Sequence, residues 1–588
     1  MLIPILQDRL RSAVVAILPD ADLSRVMIRP CTNPAHGDYE TTSLMGIAKE
    51  RKMNPRQFAA DVLARLEVAD LCEDLQVSGG GFINFRLNVA ALQRAIQGAA
   101  RGEHLFFTPA ARPRTVVIDF SSPNVAKPLH VGHIRSTFLG DSLARIFRKL
   151  GHRVVTDNHI GDWGTQFGML LLGWKTTLRR DALAADPFLE MERLYKEVNQ
   201  RCKDEPGLRD QARAELVKLQ GGDSENLAIW REMQKLSQAQ FDEVYARLGV
   251  AFDFTLGESF YNPQLPGLVK ELARLGLARE SEGAMAIFSD GSCPPKEDPF
   301  LVQKDGEWQP NPFLVQKSDG GFNYATTDLA TLEYRLKTWA PDEILYVTGA
   351  PQQLHFRQLF AAFRRWHPEV HCRLEHVWFG SILGEDGKPF KTRSGETVKL
   401  TELLEEAQER AAAIVAAKNP DLPGSEQKDI ARQIGMGAIK YADLLPNRQS
   451  DYVFSWEKLL ALNGNTAPYL LYAYTRTRSL QRKGADLGDL SPAKSVIALG
   501  ATEELALARH LLNFGFTLES VISDYRPNFL CNYLYELAGL FSKFWENCPV
   551  LKAEDPAVRA SRAALCEVTG RVLGEGLRLL GIETLERM

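Results

Sequence analysis

The stretch Thr115-Val116-Val117-Ile118-Asp119-Phe120, followed by Ser121-Ser122-Pro123-Asn124-Val125-Ala126-Lys127-Pro128-Leu129-His130-Val131-Gly132-His133, decides the fold. Its opening is β-branched and almost continuously apolar, as suits a strand buried on both faces of a parallel sheet. Beyond it, Ile134, Phe138, Leu143, Ile146 and Phe147 recur at helical spacing, so a helix is expected over Ile134–Leu150. Strand, loop and helix in that order put the loop at the carboxyl edge of the sheet, where open α/β folds hold nucleotides. His130 and His133 share one face of the first helical turn. That turn is expected to offer free N–H groups and partial positive charge to a phosphate. Gly132 leaves room for a flat base or ribose to approach the backbone. No G-x-x-x-x-G-K-[ST] occurs, so a nucleotide is not held in that kind of loop. A zinc pair would need i, i+4 histidines and a further ligand.

Outward from this stretch, further strand-like runs lie at Arg153–Thr156, Glu343–Thr348 and Val377–Leu383, with a helix at Leu354–Trp366. Strands alternating with helices argue for a parallel α/β sheet over residues 109–375. Two insertions interrupt it, a charged helical one at about 170–250 and a Gly-, Pro- and Asp-rich one at about 281–320. Residues 1–108 read as a small α+β domain. It has an amphipathic first helix, a helix at Pro55–Glu67, a tight turn at Gly79–Gly81 and a strand in the FINFRLN that follows. Residues 376–417 connect to an all-α region, 418–588, broken at Pro420–Gly424, Gly484–Ser491 and Cys548–Pro556.

With 588 residues, the chain has room for several domains at roughly 100–200 residues each. A content of 45% hydrophobic and 24% charged residues excludes a disordered or fibrous chain. A formal charge of -4 offers no global basic signal for nucleic acid, although an average conceals local basic faces. Eight cysteines without a C-x-x-C pair read as reduced thiols in a cytoplasmic protein with no structural metal. No apolar run approaches the roughly 18 residues of a membrane span, and the N-terminal apolar stretch reads as a first helix rather than a signal peptide.

The string SSPNVAKPLHVGHIRST resembles the "HIGH" signature of class I aminoacyl-tRNA synthetases, in the form used by the arginyl-tRNA synthetase family. The likeness continues in His159–Gly168 (HIGDWGTQFG), in Gly380–Leu400 (GSILGEDGKPFKTRSGETVKL), in the C-terminal LGIETLERM, and in GDYETTSLMGIAKERKMNPRQFA and GFINFRLN of the first domain. It implies a Rossmann-like catalytic domain, an N-terminal tRNA-contacting domain and a helical anticodon-binding domain. It also implies L-arginine, ATP with Mg2+ and tRNA(Arg) as the molecules bound, and a monomer. Activation of the amino acid is expected to need tRNA.

A guanidinium has five donors in a plane and calls for acidic or carbonyl acceptors. Tyr324 and Asp328, at i and i+4 of a helical segment, fit that demand, and the resemblance implies that they hold the arginine side chain. It assigns Ser122, Asn124 and His133 to the amino and carboxylate end, with Gln352 completing the pocket; Glu258, after a strand-like FDFTL, is a further candidate. His130, Gly132, His133, His355 and Lys388 are expected at ATP. Class I enzymes usually carry a K-M-S-K-S loop, but this chain reads Phe390-Lys391-Thr392-Arg393-Ser394, so neither lysine stands at its usual place. Lys127 and Arg393, with Lys391 beside them, are expected to supply the missing charge. In the C-terminal region, Tyr469, Tyr472 and Tyr474 alternate with Arg476 and Arg478, suited to stacking on unpaired bases and contacting phosphates. The same tyrosines would also serve as a helix core with a solvated basic face. Two other readings stay open: a synthetase-like tRNA-binding protein without catalysis, and a small HxGH nucleotidyltransferase.

Overall fold

A computed structural model describes residues 2–33, 35–205, 207–390, 398–484 and 492–588. They form two compact units, Ala110–Arg410 with Ala442–Trp456, and Met1–Pro109 with Ala411–Tyr441 and Glu457–Met588.

The first of these units is built on a parallel sheet. Its elements are β1 (Thr115–Asp119), α1 (Val131–Lys149), β2 (Arg153–Asp157), α2 (Tyr324–Trp339), β3 (Glu343–Tyr346), α3 (Gln353–Trp366) and β4 (Arg373–His376). The strands run β4-β3-β1-β2, all parallel. Val116, Val117 and Ile118 are fully buried, which is what covering both faces of β1 with helices requires. From β1 the chain goes to β2 on one side and reaches β3 on the other. The loop after β1 therefore lies at the point where strand order reverses, the site of ligand crevices in such sheets.

Three local expectations change. The strand expected over Val377–Leu383 is divided, because β4 ends at His376 and Ile382–Leu383 pairs with Tyr452–Val453 in a separate sheet. Gly380 N donates to the Arg448 carbonyl at 2.9 Å, which draws the chain away from the main sheet. Tyr452–Val453 likewise interrupts a region expected to be helical throughout. The FDFTL run forms no strand and contributes one bridge, Phe254 to Asp157 at the end of β2.

The helical insertion comprises five helices between Gln166 and Leu248, packed on a core that includes Phe167, Leu171, Met191, Leu194 and Met233. The second insertion is antiparallel: Ala278–Ser281, Ala284–Ile287 and Phe313–Gln316 make one sheet, and Leu301–Lys304 pairs with Glu307–Pro310.

The other unit joins a four-stranded antiparallel sheet to the C-terminal helices. Strand order is Arg29–Pro30, Tyr39–Thr41, Phe82–Leu87, Cys72–Ser78. Gly79 and Gly81 turn between the last two strands with φ of 53° and 118°, and a β-carbon on Gly81 would lie 2.6 Å from the Pro55 carbonyl oxygen. The helix from Pro55 stops at Leu63 rather than Glu67, because Arg65 and Leu66 close tighter i to i+3 turns. Tyr39 Oη donates to Asn513 Oδ1 at 2.9 Å and Arg509 pairs with Asp38 at 3.0 Å, tying the sheet to the helices. No described helix is long and apolar enough to cross a membrane.

Candidate active site

The loop after β1 holds three non-glycine residues in the left-handed region: Ser121 (φ 72°), Ser122 (50°) and Ala126 (64°). Such conformations cost about 1–3 kcal/mol each and persist where surrounding bonds over-determine them. Here Ser121 N donates to Ser136 Oγ (2.8 Å), Ser122 N to Asn158 Oδ1 (3.0 Å) and Ala126 N to Ser237 Oγ (3.0 Å). Asn124 bridges to Gly161, whose missing β-carbon is the space the Asn124 amide fills.

The loop ends in a reciprocal cap. His130 is the N-cap of α1, so the helix begins at Val131 rather than Ile134. His130 Nδ1 accepts from Gly132 N at 3.1 Å, and His133 Nδ1 accepts from His130 N at 3.1 Å. The two rings lie 4.0 Å apart. Because both Nδ1 atoms are acceptors, the proton of each neutral imidazole sits on Nε2. Burial lowers both pKa values, helped at His130 by Lys127; His133 is pushed down to about 3 by burial and then by His130. Two neutral Nε2–H donors result.

This geometry corrects the expectation of a phosphate held by free N–H groups. Val131 N is bonded to the Val398 carbonyl, Gly132 N to His130 and His133 N to the His130 carbonyl. The donors left for an anion are imidazole edges. Gly132 has a further reason to be glycine: a β-carbon there would sit 2.9 Å from His130 Cε1.

Across the strand ends, Asp119 and Asp157 face each other in register. Arg335 of α2 neutralises the two. Its Nη2 donates to Asp119 Oδ2 at 2.6 Å and to Asp157 Oδ2 at 2.8 Å, and its side chain is fully buried. Ser122 Oγ donates to the other Asp119 oxygen at 2.9 Å. Tyr324, Asp328 and Arg335 lie at i, i+4 and i+11 of α2, so all three fall on one face. The anchor at Arg335 thereby carries Tyr324 and Asp328 about 10–16 Å up the helix, at 1.5 Å per residue. Asp119, Asp157 and Arg335 escape a sequence reading because their partners are 178 and 216 residues apart. The one local signal is an aspartate closing each of two apolar strands.

Tyr324 is exposed, and Asp328 Oδ2 is 2.6 Å from His355 Nε2 at the start of α3. His355, expected at ATP, is hydrogen-bonded to the carboxylate expected to hold arginine. Glu258 follows Gly257, where only glycine clears the Asp162 carboxylate. Asp162 accepts from Ser259 N (2.8 Å) and Oγ (2.6 Å), and its carbonyl accepts from Trp230 Nε1 (2.8 Å), which fixes the Glu258 turn against the helical insertion. Burial pushes the Glu258 carboxyl up; His159 pulls it down, and Asp162 and Asp328 add to the rise. Gln352 ends a short exposed turn and Lys388 lies exposed in the turn closed by Gly384 N to the Lys388 carbonyl. Lys127 Nζ rests 5.5 Å from the Tyr195 ring of the insertion. Lys391 and Arg393 lie outside the described residues.

A parallel sheet with a histidine-capped helix at its switch point has the frame that open α/β folds use for nucleotides. Three family profiles match the chain: "Arginyl tRNA synthetase N terminal domain" over residues 4–87, "tRNA synthetases class I (R), catalytic domain" over 100–456, and "DALR anticodon binding domain" over 470–588. Similar curated proteins include arginine–tRNA ligases of Cellvibrio japonicus, 44% identical over 99% of both chains, and Synechococcus elongatus, 43% identical over 99% of both. The chain belongs to the arginyl-tRNA synthetase family. Solved arginyl-tRNA synthetases from Plasmodium falciparum (TM-score 0.81, 27% identity, covering 100% of this chain and 99% of that one) and Thermus thermophilus (0.81, 26%, 100% of both) share the fold.

In this arginyl-tRNA synthetase family member, the helical candidates for RNA contact divide by burial. On Ala467–Gly484, Tyr472 is exposed and the Arg476 guanidinium lies 4.7 Å from its ring, while Tyr469 is half-buried against Tyr535. Tyr474 is buried, its ring filling the space over Gly574, where a β-carbon would come within 2.8 Å. That removes Tyr474 from base stacking: alternate positions on a helix are about 200° apart, so residues 472 and 474 face opposite ways. Arg478 is ion-paired with Glu586 at 3.1 Å.

Proposed function

We propose that this chain joins L-arginine to the 3′ end of tRNA(Arg) using ATP. Family membership supports the ligase activity, and the observation that carries the site is that the His130/His133 cap follows β1 while the Tyr324/Asp328 end begins α2, which leads toward β3, so that both belong to the carboxyl edge of one parallel sheet. In the reaction, an arginine carboxylate oxygen attacks the α-phosphorus of ATP, pyrophosphate leaves, and the adenylate passes its acyl group to a ribose hydroxyl. The attacking carboxylate is already ionised, so activation calls for positioning and charge neutralisation rather than a general base. The His130 and His133 Nε2–H groups would donate to phosphate oxygens, and Mg2+ brought in with ATP would supply further charge neutralisation. Asp328, Tyr324 and Glu258 would receive the guanidinium; Ser122, Asn124 and Gln352 would hold the other end. Lys127, Arg393, Lys391 and Lys388 supply cationic side chains for pyrophosphate. Tyr469, Tyr472 and Arg476 are the residues proposed for tRNA. The chain is taken to act as a cytoplasmic monomer.

Arginine-dependent ATP–pyrophosphate exchange with and without tRNA tests the reading. Exchange that requires tRNA is expected; exchange in its absence removes the tRNA requirement. Failure under every condition, with tRNA still bound, would leave a non-catalytic tRNA-binding protein. Exchange driven by another metabolite would leave the nucleotidyltransferase.

A further inference from the structure

We propose that His355 is a positioning residue for arginine specificity, holding the Asp328 carboxylate and the Tyr324 ring in the geometry that receives a guanidinium. The inference rests on the reading of Asp328 as an arginine ligand and adds a residue to it. His355 Nε2 is 2.6 Å from Asp328 Oδ2, and among the described residues it is the hydrogen-bond partner of that carboxylate. The imidazole also meets the Tyr324 ring edge-on at 4.8 Å. Phe313 at 5.7 Å and Phe356 at 5.2 Å pack against the same ring, so the imidazole is wedged among three aromatic side chains. Each guanidinium-facing residue of α2 therefore touches one imidazole, presented by the first turn of α3.

The chemistry follows from the donor count. A neutral imidazole with its proton on Nε2 donates to Oδ2 and leaves Oδ1 as the acceptor facing a ligand. Without that donor, the carboxylate rotates freely about its side-chain bonds, and a planar guanidinium loses the fixed geometry on which its paired bonds depend. A hydrogen bond to a charged group is worth about 1.5–3 kcal/mol, or roughly 10–150-fold in the binding of whatever the carboxylate holds. The effect should fall on arginine and spare ATP.

The experiment is steady-state aminoacylation by the full-length enzyme with saturating tRNA, varying arginine and ATP separately. His355→Phe keeps the aromatic wedge and deletes the donor; His355→Gln restores an N–H. For His355→Phe the arginine KM should rise at least tenfold, with kcat within about threefold and the ATP KM within about twofold. His355→Gln should recover most of the loss, and adding His355→Phe to Asp328→Asn should change the arginine KM little further. A rise in ATP KM with arginine KM unchanged would make His355 a nucleotide ligand and overturn the proposal, as would an unchanged arginine KM. If His355→Phe fails to fold, the arginine KM of His355→Gln against His355→Ala decides the same point. Asp328→Asn alone separates the two levels of inference: an unmoved arginine KM there refutes the site reading itself, whereas a large rise beside a silent His355→Phe refutes the role of His355.

Discussion

Arg335→Met removes a fully buried guanidinium and leaves Asp119 and Asp157 facing each other in register at the ends of β1 and β2. Three hydrogen bonds go with it, at 2.6, 2.8 and 3.2 Å. Met fills much of the volume, so the loss is electrostatic rather than a cavity. Ser122 still donates to Asp119, but Asp157, whose carboxyl burial already pushes upward, loses its ion-pair partner. Breaking a buried pair on one side costs about 3–5 kcal/mol. At roughly 2 °C per kcal/mol for a unit this large, the unfolding midpoint should drop by about 6–10 °C. Differential scanning calorimetry of wild type, Arg335→Met and Arg335→Met/Asp157→Asn measures it, and neutralising Asp157 should return about half of the loss. Arg335→Lys should fall between, because an ammonium lacks the fork that spans two carboxylates. In kinetics, the arginine KM should rise more than the ATP KM, because α2 carries Tyr324 and Asp328. An Arg335→Met midpoint within 2 °C of wild type would refute the argument that this triad fixes α2 to the sheet.

Other outcomes follow from the same frame. Lys127→Ala and Arg393→Ala should each lower pyrophosphate exchange by about 10–150-fold, the scale of one hydrogen bond to a charged group; near-wild-type rates in both would remove their role. Gly132→Ala should displace the His130 ring, lowering kcat by about tenfold or more while the unfolding midpoint moves by less than about 3 °C; unchanged kcat would show that the ring does not have to fold over residue 132. His133, with its pKa pushed down to about 3, resists protonation in the folded state. Its contribution to stability is complete above its ordinary value near 6.5 and erodes as pH falls through the interval to 3, by about 1.4 kcal/mol per pH unit. Wild type should therefore lose more of its unfolding midpoint between pH 7 and pH 5 than His133→Asn does, and parallel curves would contradict the assignment.

The parts of this molecule legible in the sequence are those written in consecutive residues. TVVIDF announces a doubly covered strand because β-branched residues leave little else for it to be, and HVGH, one short loop further on at the start of a helix, places histidines at the sheet edge. Tyr324 and Asp328 are visible as an i, i+4 pair. What escaped depends on long-range approach. The Arg335 triad needs a parallel sheet to set two aspartates side by side before an arginine has any reason to be buried. His355 on Asp328 needs two helices to converge. The helix terminus departs from the expected free N–H groups because the Nδ1 of each histidine closes the turn that presents it, which leaves the Nε2 edges to face outward. Tyr474 shows the opposite limit: an aromatic in a basic helix is chosen by packing over a glycine 100 residues away, which periodicity alone does not reveal.

The guanidinium at the root of α2 is chemically the same group as the substrate proposed for its tip. Residue 335 of every new copy of this protein is delivered by the charging reaction that the protein itself performs. Were a neutral analogue such as citrulline attached to that tRNA, the copies built from it would carry two buried carboxylates with no cation between them. Translational accuracy and the stability of this protein are thereby coupled through a buried side chain.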